Sequence, residues 1–445
     1  MRASDAPAPA IPAHAIPPSQ PSARWGAKPI VGLEFLPVGD TWDDADPAVT
    51  WDALTPYLWD DPETASGFSD VWCDTTGLEL EAGDPDDHDL YPPSRATLTL
   101  YDPAGKYRRR TADGRLVYYA AGRRLCVLAE LKSDASRWWL FAGRIATWHE
   151  LAGDMIEIVA YSSSSYLAQD PGREWTAGAA GDKLAQRTAA ILAAASATMT
   201  TRADTGLATF EVPAADRIPP LEVLQRAAWS DGGLVYADAD DTLTVRDRHW
   251  RDGRTDNPAP LLSLTDNVCA AGVVPLAEVE LADDDEWLAA RVVLSTDAGL
   301  VATASNPAET IDPRLLYTHP DTDIWRTQAE GDALAAQIAN VRGAQRPALE
   351  VGRVFLHDPR RDDWRAIVNT RIGDRVTWQH EARNDDGTLT VYELPAILDT
   401  VRHLLTAETW ITELATSPAV GAIAIETWDV TAYTYDDTAP GAVWR

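Results

Sequence analysis

Period-two alternation of apolar residues is the feature that most constrains this chain, because only a strand with one buried face needs it. It is clearest over residues 138–167, WWLFAGRIATWHELAGDMIEIVAYSSSSYL. Two runs rich in aromatic and β-branched residues flank a short polar loop that carries Gly153. That pattern predicts a β-hairpin. Similar runs occur upstream in VGLEFLPV, VWCDTTGLELEAG, RATLTLYDPAGKY and LVYYAAGRRLCVLAEL, and downstream in LEVGRVFLH, IGDRVTWQHEA, GTLTVYELPAILDTVRHLL and ETWITELATS. In RATLTLY, Ala96, Leu98 and Leu100 share one face while Arg95, Thr97 and Thr99 share the other. Asp102-Pro103-Ala104-Gly105 then turns the chain. The expected class is mainly β with a smaller α+β part.

The helical signals are confined to two places. Residues 182–197, DKLAQRTAAILAAASA, place Leu184, Ala185, Thr188, Ile191 and Leu192 at helical spacing. ATFEV reads as a short strand, and LEVLQRAAWS, preceded by Pro219 and Pro220, as a second helix stopped by Asp231-Gly232-Gly233. LVYADADDTLTVRDR is then a hairpin turning around Asp238–Asp241, so the expected order is helix, strand, helix, hairpin. A third helix is predicted over 324–341, weakened by Gly331. The expected organisation is a Pro/Ala-rich extended arm (1–30), a first β-barrel with a Trp/Pro-rich acidic insert (31–170), an α+β domain (171–258), a second β-barrel with one helix (259–416) and a C-terminal extension (417–445). The long hairpins near 140–160 and 390–414 suggest that the two β-domains are related.

Charge excludes one broad class. With 38 basic against 69 acidic residues the formal net charge is −31, whereas a nucleic-acid binder needs a basic footprint. Solubility accounts for such a balance, and an acidic surface also keeps polyanions from adhering. Cys73, Cys126 and Cys269 are far apart and odd in number, which gives neither a disulfide framework nor a zinc site. The first 24 residues lack the apolar stretch of a signal peptide, and no run is long enough to span a membrane. A chain made and assembled in the cytoplasm is expected.

No motif carries catalysis. The acidic cluster around Asp84, Asp86, Asp87 and Asp89 and that at Asp238–Asp241 lack the spaced ligands, central Gly and distal Glu of a calcium loop. The second lies in a turn, where Asp is favoured for other reasons. The 18 tryptophans could serve as sugar platforms beside paired carboxylates. Yet Trp139, Trp148 and Trp378 sit inside alternating strands, where core packing is the default. GxSxG, HExxH, GxxxxGK[ST] and GxGxxG are all missing. The expectation is no enzyme, no catalytic residue, no cofactor and no metal.

The order of the motifs is more informative than any one of them. FAGRI, an acidic-polar hairpin and IEIVAYSSSSYL come first, then LEVLQRAAWSDGGLVYADADDTLTVRDR, then IGDRVTW and VYELPAILDTVRHLLTAETWITELATS. This succession, with VWCDTTGLELEAG and SRATLTLYDPAGKYRRR at the start, resembles the tail-tip hub (minor tail) proteins of long-tailed bacteriophages, particularly those of actinobacteria. The resemblance covers about residues 30–416. It implies two β-barrel-like tube domains joined by an α+β insertion domain, and a homotrimer in which six barrels form a ring. It further implies a virion protein at the tail tip that closes or continues the tail tube and anchors tip proteins or fibres. The implied partners are the distal tail protein, the C-terminus of the tape measure protein and other tail-tip or fibre proteins. DNA would pass through the lumen during ejection without specific binding. The chain stops soon after the second barrel, so a wall-digesting domain is not expected. A distal tail protein forming a hexameric ring, with one barrel per chain, is the rival within this class. A glycan-binding or glycan-hydrolysing β-rich protein is the rival outside it. The arm and the insert carrying Trp42, Trp51 and Trp59 are expected to touch neighbours, and Arg144, His149 and Glu157 to face a subunit or the lumen.

Overall fold

The computed structural model describes residues 25–34, 68–83, 91–108, 122–169, 178–211, 218–248, 262–266, 273–282, 289–305, 316–318, 324–342, 348–356, 364–383 and 389–418, with a few single positions between them. The arm, the Trp42–Pro62 insert, the first acidic cluster and nearly all of the C-terminal extension lie outside these residues.

The first set of strands is β1 (Ala27–Glu34), β2 (Phe68–Asp70), β3 (Thr75–Gly83), β4 (Arg95–Tyr101), β5 (Arg124–Leu131), β6 (Arg137–Leu151) and β7 (Met155–Tyr161). Alternation sets the buried face as expected: Ala96, Leu98 and Leu100 are fully buried and the intervening side chains of β4 are not. The β6–β7 hairpin turns through Gly153 and Asp154, both at positive φ. Next come α1 (Leu184–Ala195), β8 (Thr201–Ala203), α2 (Pro220–Ser230), β9 (Leu234–Ala237) and β10 (Leu243–Arg246). The strand between the helices is therefore residues 201–203, not ATFEV. Phe210 makes only a bridge to Trp325, its N–H bonding Asp182 and that of Glu211 bonding Ile324. It is extended, but it is tied to two loops and belongs to no ladder.

The second set opens with β11 (Leu262–Thr265), β12 (Val274–Pro275) and β13 (Glu278–Ala282). A small sheet, β14 (Arg291–Ser295), β15 (Val301–Ser305) and β16 (Leu316–Thr318), and the helix α3 (Gln328–Val341) intervene. Then follow β17 (Ala348–Phe355), α4 (Trp364–Val368), β18 (Arg375–Arg383), β19 (Leu389–Thr406) and β20 (Trp410–Pro418). The helix α3 covers the small sheet and shares a core with Trp229 of α2 and with Trp325. Gly331 is required rather than weak here. A Cβ on it would stand 2.6 Å from the Trp325 ring.

The molecule is mainly β, and both strand sets belong to one 14-stranded sheet. Its path runs β12-β11-β18-β19-β3-β4-β7-β6-β5-β1-β2, and β20, β17 and β13 branch from β19. Two barrels were expected, but among the described residues neither set closes on itself. The reason lies at β3. Its outer edge would have to meet β2 to close the first set, and that edge is bonded to β19 instead. The apolar faces of both sets merge into one core. Trp25 packs on Trp72 and Trp410 at centroid separations of 6.1 and 5.8 Å, and Trp364 on Trp410 at 5.3 Å. Such tilted and edge-on aromatic pairs add to the area they bury.

The α+β unit docks on the side of this sheet. Tyr91, Leu234, Tyr236 and Ile372 form a small apolar cluster there. Asp241, in the β9–β10 turn, accepts from the Ser163 N–H at 2.6 Å and from its hydroxyl at 2.5 Å. Asp238 pairs with Arg371 at 3.2 Å.

Candidate functional site

The two strand sets repeat one plan. In chain order and in pairing, β3, β4, β5, β6 and β7 correspond to β13, β17, β18, β19 and β20. In each set the long strand pairs through its first half with the strand before it and through its second half with the strand after it. A β-bulge divides the halves, between Ile145 and Thr147 in β6 and between Leu398 and Thr400 in β19. Even the approach to the bulge is repeated. Gly122 donates to the Ile145 carbonyl and Ile145 donates to Arg123; Gly373 donates to the Leu398 carbonyl and Leu398 donates to Asp374. Both glycines have φ near +80° (81° and 80°), a backbone that turns the preceding chain away from the long strand. A bulge with a left-handed residue beside it bends a strand and re-aims its edge.

The vacated edge of β19 is where the sets join. The strand β3 lies antiparallel along it, from Gly83 opposite Thr400 to Gly77 opposite Thr406. Approach is closest at Gly83, where a Cβ would lie 1.8 Å from the Asp399 carbonyl oxygen. The bulged Asp399 is held by the Tyr91 hydroxyl at 2.8 Å.

One face of this seam carries a row of alternating charge. Arg402 on β19 bonds Glu79 on β3 at 2.6 and 3.0 Å and Glu413 on β20 at 2.9 Å. Arg353 on β17 bonds Glu413 at 2.6 Å and also Glu278 on β13. Five side chains thus link five neighbouring strands; hydrogen bonds to Glu278 and Glu413 hold the Arg353 pKa up, and at Arg402 burial pulls the value down but is outweighed by the hydrogen bonds and charges of Glu79 and Glu413. The opposite face is apolar. His403 is buried there, donating to or accepting from the Thr412 hydroxyl at 2.9 Å, with Trp410 edge-on to its ring. Burial, helped by Arg371, pushes its pKa down to about 3, so the ring is neutral.

The first set carries a shorter version of this row. His149 on β6 faces Glu157 on β7 at 3.4 Å. Arg144, His149 and Glu157, singled out from the sequence, fall on the same face, since Arg144 pairs with Tyr161 before the bulge and His149 with Glu157 after it. Arg144 also donates to the Gly122 carbonyl at 3.2 Å. The charged row itself was not evident from the sequence, because Arg353, Arg402, Glu79 and Glu413 come from three distant segments. The Glu at alternate positions of TTGLELEAG and the Arg-Glu pair across β19 and β20 were the available signals. Of the aromatic candidates, Trp378 is buried and Trp148 packs partly against the core. In the Asp238–Asp241 turn, Asp238 and Asp240 accept from the following backbone and Asp241 from Ser163. Burial raises the Asp241 pKa to about 6. These oxygens are committed to the turn and its docking. Among the described residues no group of three or more His, Cys, Asp or Glu could hold a metal ion, and no helix is long and apolar enough to cross a membrane.

No family model matches the chain, and no curated protein matches it. Its architecture does have counterparts among solved structures. The tail protein from Neisseria meningitidis MC58 superposes with a TM-score of 0.51 at 13% identity, over 77% of this chain and 92% of that one. The 43 kDa tail protein of prophage MuSo2 from Shewanella oneidensis gives 0.52 at 11% identity, over 88% and 98%. The fold is that of these tail proteins. A tail-protein fold of this kind spans both strand sets and the α+β unit, since the second superposition covers nearly nine-tenths of the chain.

Proposed function

We propose that this chain is a structural, non-enzymatic protein of a phage tail, placed at the tail tip as a homotrimeric hub that closes or continues the tail tube. The observation that carries this reading is the continuous sheet through β3 and β19, with one face packed on a shared core and the other charged. Three such chains would contribute six equivalent strand sets, matching a six-fold tube to a three-fold tip. The charged face would line the lumen. Over β3, β13, β7 and β20 it presents Glu79, Glu81, Glu278, Glu280, Glu157 and Glu413, against Arg95, Arg144, Arg353 and Arg402. A surface with an acidic excess repels phosphate, so DNA slides past without adhering. The α+β unit, docked at the edge of the seam, would be the outer decoration. The tape measure C-terminus, the distal tail protein and fibre or tip proteins are the proposed partners, with the virion as the location. The motif succession supports a phage of actinobacteria as the source.

Mass in solution and rotational symmetry in images of tail particles test this reading. Three copies at the tip support the hub. Six copies in a ring above the tip would instead indicate a distal tail protein, and a monomer absent from particles that binds a glycan array would overturn both.

A further inference from the structure

The duplicated plan leaves one position filled by a strand in the second set and, among the described residues, without one in the first, where Arg110 reaches Glu150 with its side chain. In the second set, residues 400–406 of β19, beyond the bulge, are covered by β3. The equivalent residues of β6 are 147–151, and among the described residues no strand bonds to them on the β5 side. Exposure differs as a missing strand demands. Leu404 is half-buried beside β3, whereas its equivalent Leu151 is 45% exposed. At the other end of the run β6-β7-β4-β3-β19-β20-β17-β13, the outer edge of β13 is likewise unbonded among the described residues. By pairing position, β13 is the equivalent of β3: Leu78 lies opposite Leu98, which lies opposite Ile158, and Val279 opposite Gly352, which lies opposite Leu414. Unpaired edges of this kind invite another strand.

The geometry points to β13 of a second copy of this chain as the strand that covers residues 149–151 of β6, antiparallel, head to tail. Transfer of the internal seam fixes its register. Arg402 lies opposite Glu81 and Leu404 opposite Glu79. So His149 stands opposite Ala282, Glu150 opposite Leu281 and Leu151 opposite Glu280 of the second copy. The row of polar contacts transfers too, with His149 in the place of Arg402. Arg402 is held between Glu413 beside it and Glu79 across the seam. His149, its equivalent, already faces Glu157, the equivalent of Glu413. Glu280, the equivalent of Glu79, arrives from the second copy at the diagonal position. Both His149 and Glu280 are exposed in the single chain. The contact joins different surfaces of two copies, so it propagates until the rotation closes a ring. It rests on the ring assembly proposed above, and names the strands and residues that form it.

Disulfide cross-linking of the full-length chain tests it. In a Cys73→Ser/Cys269→Ser background, with buried Cys126 retained, Glu150→Cys and Leu281→Cys are introduced together. Oxidation is expected to give a covalent series ending at the closed ring. A mixture of the two single-cysteine chains is expected to stop at the dimer, because the contact is head to tail. Pairing Glu150→Cys with Val279→Cys, two residues out of register, should cross-link far less. Independently, His149→Glu should weaken association about tenfold or more by setting three carboxylates together, and adding Glu280→Lys should restore it. An assembly that is oligomeric by mass yet neither cross-links nor responds to His149→Glu overturns this edge and leaves the ring reading standing. A chain that is monomeric both in solution and in tail particles overturns the two together.

Discussion

The two strand sets share a backbone plan but little of their side-chain chemistry. Where β19 has Arg402 and buried His403, β6 has His149 and exposed Glu150. The second set also accommodates a whole sheet and helix between β13 and β17, a connection that is short in the first. What the sets keep in common is the bulge, the left-handed glycine before it, and the edge that these expose. The difference teaches that the geometry of edges is the repeated element, while each core and each charge pair was filled separately. A filled seam and an open one can therefore be probed within the same chain.

The largest effect should come from the shared core. Trp410→Ala removes the ring that contacts Trp25, Trp364 and His403, and should cost about 3–5 kcal/mol in denaturant unfolding. Gly83→Ala should cost about 3 kcal/mol, since the new Cβ meets the Asp399 carbonyl and φ is +89°. Gly122→Ala is the control for the open side. It has the same kind of backbone but meets nothing closer than 3.9 Å, so only about 1–2 kcal/mol of backbone strain is expected. Equal losses at the two glycines would remove the distinction between filled and open edges.

Acid should expose the seam next. The pKa of His403 is depressed when folded, so the unfolded chain binds the proton first. The stability its neutral form contributes is present above the ordinary pKa of 6.5 and is lost as pH falls towards about 3. The slope is at most about 1.4 kcal/mol per pH unit. Asp231, Asp241 and Asp374 work in the opposite sense. Burial raises each to about 6, so their stabilising contribution is present below the ordinary carboxylate pKa and is lost as pH rises through about 6. The informative measurement is therefore the difference in slope between the wild type and His403→Gln from pH 6.5 to 4. Identical slopes would mean that His403 is not buried as a neutral ring.

The smallest contrast is the most direct. Arg402→Ala breaks both carboxylate contacts at the filled seam and should cost about 1 kcal/mol, given its partial exposure. His149→Ala should change the stability of the single chain by less than about 0.5 kcal/mol. Thermal melts of the two variants side by side would settle whether the first set has an equivalent seam within one chain.

Much of this architecture was legible in the sequence, and the reasons differ by element. The strands of both sets followed from alternation, and α1, α2 and the β9–β10 turn from spacing and turn residues, because these signals are local. The bond from β3 to β19 was not legible. Nothing near Gly83 says that its partner is Thr400, and without that pairing two closed barrels were the natural expectation. ATFEV looked like a strand because its composition is right, but its backbone groups are claimed by loops on both sides. The short helix α4 was masked by its charged surroundings, RDDWRAIV, where one turn of helix presents Trp364, Ile367 and Val368 to the core. Gly331 read as a defect because the ring that needs its space comes from Trp325, before the helix begins.

The seam between β3 and β19 also sets an order of events during synthesis. Gly83 and Thr400 are partners 317 residues apart in the chain. At ordinary translation rates the first set would wait on the order of 15–60 s for its partner strand to leave the ribosome. Through that interval the β3 edge stands open on a nascent chain, beside other nascent chains on the same message. A β19 strand from a neighbour would fit the same edge, giving a domain-swapped pair with every native hydrogen bond in place. Slowing translation after the first set, or raising expression, should therefore increase swapped dimers, with the fault arising in the timing of synthesis rather than in the finished protein.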